Sequence, residues 1–208
     1  ASPVTDPYLI DKVSVIALRQ GIQPILVLNK QDVNPSQDFR LIYEKAGFPV
    51  LSTSAETGEG VEELRQMLRG KVSAFTGNSG IGKSSLLNHL EEGVLMETGS
   101  ISRISRGRHT TRRVELFFVA EGYLADTPGF SSFDISRMEH IPKEELEQYF
   151  PEFEPFLGQC RFSGCAHCKE PDCAVDQGAR EGAIAPSRLE SYRKLYEEMA
   201  QWKEWENK

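Results

Sequence analysis

No stretch of the 208 residues approaches the ~20 consecutive apolar positions that a membrane helix needs, and no signal-peptide pattern opens the chain. The expectation is a protein that neither spans a membrane nor is secreted, working as a monomer in the cytoplasm. Cysteine is scarce: Cys160, Cys165, Cys168 and Cys173 are the whole complement, and all fall within one short segment. A disulfide-stapled fold would spread them out; crowding beside His167 favours a metal site in a reducing compartment. Basic residues are outnumbered, with 24 Lys and Arg against 31 Asp and Glu and a net charge of -7. That balance argues against a surface that coats nucleic acid throughout, yet leaves room for a local basic patch. Methionine does not open the chain, so with Ala1 in first place we expect a piece of a longer polypeptide. What is present, 39% hydrophobic and 26% charged residues, suits one globular domain with a small appendage.

Helix and strand signals alternate over the first part of the chain. Leu9, Val13, Ile16 and Ala17 recur at helical spacing over 8–20, and Pro24 introduces the apolar run Ile25 to Leu28, which reads as a buried strand. A helix over 37–46 stopped by Gly47, a strand over 49–53, and a helix marked by Val61, Leu64 and Leu68 follow. Then come a strand over 72–76 and a helix over 82–90. This rhythm implies crossover units on a parallel sheet. Segments 114–120 and 122–126 flank the turn near Gly122 with no helix between them and read as a hairpin-like pair. Beyond about residue 136 the character changes. Residues 142–150 read as a helix, the cysteine segment as loops. Pro186 opens a long helix in which Leu189, Tyr192, Leu195, Tyr196, Met199 and Trp202 are spaced for packing.

Gly77-Asn78-Ser79-Gly80-Ile81-Gly82-Lys83-Ser84, followed by Ser85, matches G-x-x-x-x-G-K-[ST] between a predicted strand and a predicted helix. Glycines let the backbone curl so that successive N–H groups face phosphate oxygens, and the helix that starts there adds its positive end. Lys83 is placed to reach the β- and γ-phosphates and Ser84 to ligate Mg²⁺.

Asn29-Lys30-Gln31-Asp32 sits at the end of an apolar strand, where ligands approach a parallel sheet. A carboxylate at Asp32 can accept from both the ring N–H and the amino group of guanine, a pair that adenine does not offer. Asn29 would tie this loop to its neighbours, and the Lys30 stem would lie along the base. Ser54-Ala55-Glu56 ends the next strand and fits a second base-contacting loop, whose backbone N–H would meet the guanine oxygen. In Asp126-Thr127-Pro128-Gly129, Asp126 can hold Mg²⁺ through water and the Gly129 N–H can meet the γ-phosphate.

Ordinary small GTPases run phosphate loop, switch, D-x-x-G, N-K-x-D and S-A in that order. Here N-K-Q-D and S-A-E come first. With G-R-H-T-T-R at 107–112, D-T-P-G-F at 126–130 and C-x4-C-x-H-x5-C at 160–173, the chain resembles the RsgA (YjeQ) family of circularly permuted GTPases. The resemblance implies an α/β fold: a P-loop GTPase three-layer sandwich, circularly permuted, over 1–136, with a mainly helical zinc-binding subdomain over 137–208. It implies GTP hydrolysis in late assembly of the small ribosomal subunit, slow alone and stimulated by that subunit, with rRNA as a partner. A GTPase sheet has six strands and five are legible here; the sixth would be central and would precede the helix at 8–20, upstream of Ala1. The N-terminal OB-fold domain of the family has no counterpart in this sequence.

Between Thr98 and Val114 acidic residues are absent, while Arg103, Arg106, Arg108, Arg112 and Arg113 are all present. One reading is a solvated loop; the density of charge in an acidic chain favours a patch that meets rRNA phosphates. Thr110 or Thr111 is placed to complete the Mg²⁺ shell and sense the γ-phosphate. Phe130 stands where many GTPases carry a water-orienting glutamine, and a phenyl ring cannot do that work. His109 is the candidate catalytic residue, with packing or RNA contact as its other reading.

Cys160, Cys165, His167, Cys168 and Cys173 offer five ligands, one more than tetrahedral Zn²⁺ takes, and spacing alone leaves the choice open. The family resemblance selects Cys160, Cys165, His167 and Cys173. Four protein ligands make a structural site. Two functions are carried forward: a Mg²⁺-dependent GTPase that reports its nucleotide state to the small subunit, and a GTP-gated rRNA-binding module with incidental hydrolysis. Asn29 and Asp32 disfavour a generic ATPase.

Overall fold

The computed structural model describes residues 5–33, 37–92, 115–126 and 141–201. Along them run α1 (Pro7–Arg19), β1 (Leu26–Leu28), α2 (Gln37–Lys45), β2 (Val50–Ser52), α3 (Val61–Leu68), β3 (Val72–Phe75) and α4 (Lys83–Glu92). The hairpin β4 (Glu115–Val119) and β5 (Gly122–Asp126) follows, then two 3-10 helices (Lys143–Tyr149 and Pro151–Phe156), α5 (Ala174–Arg180) and α6 (Pro186–Ala200). Helix starts carry their expected chemistry. The Asp6 side chain accepts the Tyr8 amide at 3.0 Å with Pro7 in the first turn of α1, and Pro186 opens α6.

The segment expected as a helix over 142–150 is a 3-10 helix, and the reason lies just beyond it. Pro151 keeps Phe150 out of the helical conformation (φ -118°, ψ 84°), and Pro155 denies the next segment an amide donor. Helix α5 was not anticipated at all, because it is short and carries Gly178 in its middle.

Five strands form, as read, and among the described residues they lie in two sheets. β1 and β2 pair through Leu26 N–H to the Pro49 carbonyl (2.9 Å) and Thr53 N–H to the Leu28 carbonyl (2.8 Å), bonds that advance along both strands together, as in a parallel ladder. The other sheet has the order β3-β5-β4. β3 runs parallel to β5, from Val72 opposite Tyr123 to Phe75 opposite Asp126; β4 is antiparallel to β5, from Glu115 opposite Asp126 to Val119 opposite Gly122. The hairpin turn is made not by Gly122 but by Ala120 and Glu121, both left-handed (φ 50° and 60°) as a tight primed turn requires. Gly122 answers a different demand: a Cβ there would come within 2.2 Å of the Lys71 carbonyl oxygen.

The chain divides into two compact units, one within 27–36 and 51–134, the other within 5–26, 37–50 and 135–208. In the first, Leu64 and Leu68 of α3 and Leu86, Leu87 and Leu90 of α4 pack on Val119 and Leu124 of the sheet. In the second, Phe150, Phe153, Tyr192 and Leu195 centre one cluster, joined by Val15 of α1, and Leu26, Tyr43, Ala46 and Phe48 form another. Leu189, Tyr192 and Leu195 are buried and Tyr196 and Met199 pack beside them, as their spacing predicts; Trp202 lies outside the described residues. Among the described residues no helix is long and apolar enough to cross a membrane.

Candidate functional site

β3 ends at Phe75 and α4 begins at Lys83, so the glycine-rich segment is the strand-to-helix turn its motif requires. Gly77, Gly80 and Gly82 all take positive φ (151°, 80° and 97°), which lets the loop curl around its own amides. Lys83 folds back over it, its Nζ donating to the carbonyls of Gly77 at 2.7 Å and Asn78 at 3.0 Å. Asp126, the last residue of β5 and the first of D-T-P-G, is in register with Phe75, the last residue of β3 before this loop.

Asn29 joins three segments that are distant in sequence. Its Nδ2 donates to the Ile81 carbonyl at 3.0 Å, and its Oδ1 accepts from the Ala55 amide at 3.0 Å and the Thr53 hydroxyl at 3.3 Å. One carboxamide thus holds N-K-Q-D, S-A-E and the phosphate loop together. The approach to the phosphate loop is so close that a Cβ on Gly82 would lie 2.3 Å from Asn29 Nδ2. Lys30, itself left-handed (φ 64°), adds a bond from Nζ to the Gly80 carbonyl at 2.7 Å. Asp32 is held by the Ser54 hydroxyl, which donates to Oδ1 at 2.6 Å while its oxygen accepts from the Thr57 amide at 3.2 Å. Sequence reasoning named Asn29, Lys30, Asp32, Ser54 and Ala55; it missed Thr53, whose hydroxyl is the partner next to them.

The second cluster lies in the C-terminal segment. One ligand atom from each of Cys160, Cys165, His167 and Cys173 falls within 4.8 Å of the others. Cys160 Sγ is 3.9 Å from Cys173 Sγ, and His167 Nδ1 is 3.5 Å from Cys160 Sγ and 3.3 Å from Cys173 Sγ. A tetrahedral Zn²⁺ with bonds of about 2.3 Å to sulfur and 2.0–2.1 Å to nitrogen asks for edges of about 3.8 and 3.5 Å, so this donor set fits a metal ion. His167 turns inward through a left-handed backbone (φ 56°), and its Nε2 meets a Glu147 carboxylate oxygen at 3.0 Å, the outer partner that fixes a ligating ring. Burial, with neighbouring sulfurs adding to it, pushes the Cys165 thiol up to about 12. Burial likewise raises the Cys173 thiol, so a cation bound to these two sulfurs would displace protons.

Cys168 is directed elsewhere, its Sγ toward the Ala166 carbonyl at 3.3 Å. The turn around it is held by Glu170, which accepts from the amides of Ala166, Cys168 and Lys169 at 3.0–3.1 Å. Burial works against the charge of Glu170, but its own amide together with those of Lys169, Ala166 and Cys168 outweighs it and keeps the carboxyl below its usual range. Neither Glu147 nor Glu170 was foreseen. Glu170 stands two positions past Cys168, a signal that could have been read; Glu147, on a 3-10 helix twenty residues upstream of His167, gave none. Arg103, Arg106, Arg108, His109, Thr110, Thr111, Arg112, Arg113, Gly129 and Phe130 lie outside the described residues.

Comparison with known proteins agrees with this geometry. Residues 1–136 match the family model for the RsgA GTPase. The small ribosomal subunit biogenesis GTPase RsgA of Caldanaerobacter subterraneus subsp. tengcongensis is 43% identical over 204 residues, which cover 96% of this chain and 68% of that protein. The protein of the same name from Thermotoga maritima is 41% identical, with 95% and 68% covered. Among solved structures, YjeQ from Thermotoga maritima superposes with a TM-score of 0.73 at 38% identity, covering 97% of this chain and 68% of that one. YloQ, a circularly permuted GTPase, gives 0.73 at 32%, covering 97% and 65%. The chain thus spans about two thirds of these relatives. The permuted motif order, the loops drawn together on Asn29 and the four-ligand cluster have one common source: the chain belongs to the RsgA GTPase family and is a circularly permuted GTPase.

Proposed function

We propose that this GTPase acts in late assembly of the small ribosomal subunit, in the cytoplasm and as a monomer, and that its turnover is slow until the subunit stimulates it. The observation that carries the nucleotide part is the Asn29 carboxamide, which spans N-K-Q-D, S-A-E and the phosphate loop within 3.3 Å. On this reading Asp32 takes the ring N–H and amino group of guanine, Asn29, Lys30, Ser54 and Ala55 frame the base, and a backbone N–H of the S-A-E loop meets its oxygen. The amides of Gly77 to Ser85 hold the phosphates, Lys83 turns from its loop carbonyls to the β- and γ-phosphates, and Gly129 meets the γ-phosphate. Ser84, Asp126 and Thr110 or Thr111 are the residues that would hold Mg²⁺, which when bound neutralises charge developing on the phosphates. His109 would supply the polar group that Phe130 lacks. Residues 1–136 form the GTPase portion and 137–208 a helical portion stapled by Zn²⁺ on Cys160, Cys165, His167 and Cys173. Arg103, Arg106, Arg108, Arg112 and Arg113 are its contacts to rRNA.

Names of the relatives support the ribosomal assignment. The test is GTP turnover with and without purified small subunits. Stimulation by the subunit is expected. Phe130 favours the second reading, a GTP-gated rRNA-binding module with incidental hydrolysis, and subunit binding that responds to GTP without any change in turnover would select it. Base assignment is tested separately: Asp32→Asn should lower affinity for GDP by at least tenfold, and excess ATP should fail to displace GTP.

A further inference from the structure

One titratable side chain near this site has no role so far. His89 lies on α4, on the second turn after Lys83 and Ser84, and its Nε2 is 2.6 Å from the carbonyl oxygen of Ala55. The acceptor is a backbone oxygen, so Nε2 carries the proton and donates. The helix is fixed at the same level by Arg65 of α3, whose guanidinium donates to the Leu90 carbonyl at 2.6 Å and the His89 carbonyl at 2.9 Å. The ring therefore projects from a clamped helix end onto the S-A-E loop.

The consequence follows from peptide geometry. The amide of Ala55 belongs to the peptide plane shared with Ser54 and is held by Asn29 Oδ1 at 3.0 Å. The carbonyl of Ala55 belongs to the next plane, shared with Glu56, and is held by His89. A trans peptide directs its C=O and N–H to opposite sides, so fixing the Ala55 oxygen against α4 turns the Glu56 N–H away from that helix. Two successive peptide planes are thus pinned from opposite ends, one by the N-K-Q-D asparagine and one by the helix of the phosphate loop.

We propose that His89 is a positioning residue for base recognition: it sets the orientation of the S-A-E loop whose backbone N–H meets the 6-oxygen of guanine. This rests on the guanine reading above. The sequence offers no hint of it, since a histidine in the helix after G-K-S-S reads as an ordinary helical residue. His89 acts through the Ala55 carbonyl of the base-contacting loop, so its effect belongs in nucleotide affinity and not in the chemical step.

The experiment compares His89→Ala and His89→Gln with the parent chain in Mg²⁺ buffer. Binding of N-methylanthraniloyl-GDP is followed by fluorescence and displaced with unlabelled GDP or IDP; kcat for GTP is measured at saturation. Removing one hydrogen bond of this kind should weaken GDP about three- to tenfold in His89→Ala. IDP should weaken by the same factor, because both bases carry the 6-oxygen while the 2-amino group is read by Asp32. The value of kcat should not move, and His89→Gln, whose carboxamide can donate at similar reach, should restore affinity. Unchanged GDP affinity in His89→Ala, a fall in kcat that matches the fall in affinity, or no rescue by Gln would each overturn the proposal. Asp32→Asn run in parallel separates the two claims: if it leaves GDP affinity intact, the guanine reading fails, whereas a loss there with His89→Ala unaffected removes His89 alone.

Discussion

The nucleotide loops and the metal-ligand cluster solve the same problem by opposite means. Each must hold loops in one conformation without a regular element inside them. The nucleotide loops are tied mostly by side chain to backbone bonds: Asn29, Lys30 and Lys83 all end on or near phosphate-loop carbonyls. The cysteine segment is tied by side chains to one another, four ligand atoms within 4.8 Å, with a carboxylate behind the histidine. Backbone ties are many and individually weak, so losing one lowers affinity in steps. A shared metal is a single joint, and its loss is all or none.

The sharpest way to break that comparison is to strip the metal. Structural Zn²⁺ in small domains is worth on the order of 10 kcal/mol. A strong chelator should therefore lower the unfolding temperature steeply. It should also change the near-UV signal of Phe153 and Tyr192, whose rings lie 6.2 and 6.1 Å from that of His167. Metal analysis should find one zinc per chain beforehand. A chelated protein with an unchanged melt would show that the cluster is no joint.

Next in size is Arg188. It is 1% exposed and donates to Glu152 Oε1 at 2.6 Å, Glu152 Oε2 at 3.1 Å and Asp11 Oδ1 at 2.6 Å, with its guanidinium 4.5 Å from the ring centre of Phe150. Burial disfavours its charge, but the hydrogen bonds and charges of Glu152 and Asp11 outweigh this and raise its pKa. Arg188→Leu leaves two carboxylates buried without their cation and should cost about 3–5 kcal/mol in denaturant unfolding. Replacing Arg188, Asp11 and Glu152 together by apolar residues should recover most of that loss. If it does not, Arg188 acts through packing and not through charge pairing.

Asn29→Ala tests the other half of the comparison. Its bonds are several but each is modest, so we expect a stability loss of about 1–3 kcal/mol and a clear drop in GDP affinity. The metal content should stay the same. An Asn29→Ala chain with parental GDP affinity would remove the carboxamide from its place at the centre of the site.

The same contrast explains what was legible in the sequence. The glycine-rich loop could be read because each feature it needs is local: glycines where φ is positive, then a helix start at Lys83. N-K-Q-D and S-A-E were legible as strand ends, and their order exposed the permutation. Thr53 and His89 were not, because what they do depends on which loops meet in space. Arg188 was passed over for the same reason, since a charged residue in the first turn of α6 reads as solvent-facing until Asp11 is seen 177 positions away. The helix expected over 142–150 is a 3-10 helix instead, because helical periodicity does not distinguish the two and the deciding prolines, Pro151 and Pro155, stand beyond that segment.

The smallest effect is a pH dependence. Asp176 accepts from Arg193 Nη2 at 2.7 Å and Arg180 Nη2 at 2.6 Å. The hydrogen bond from Arg193 leads in holding its carboxyl below the ordinary range, ahead of burial, which opposes it, and of the charge of Arg180. A carboxyl depressed by folding binds its proton less readily in the native state than in the unfolded one. It therefore stabilises the fold above the unfolded pKa of about 4 and loses that contribution as pH falls further. The pairs are partly open to solvent, so the gain should be under about 1 kcal/mol. The gap in stability between the parent and Asp176→Asn should be full at pH 6 and close as pH drops below about 4. Arg193 also donates to the carbonyl of His167 at 3.1 Å, so the same carboxylate steadies a residue that supports the metal-ligand turn. A gap that stays constant with pH would mean that Asp176 contributes through shape and not through charge.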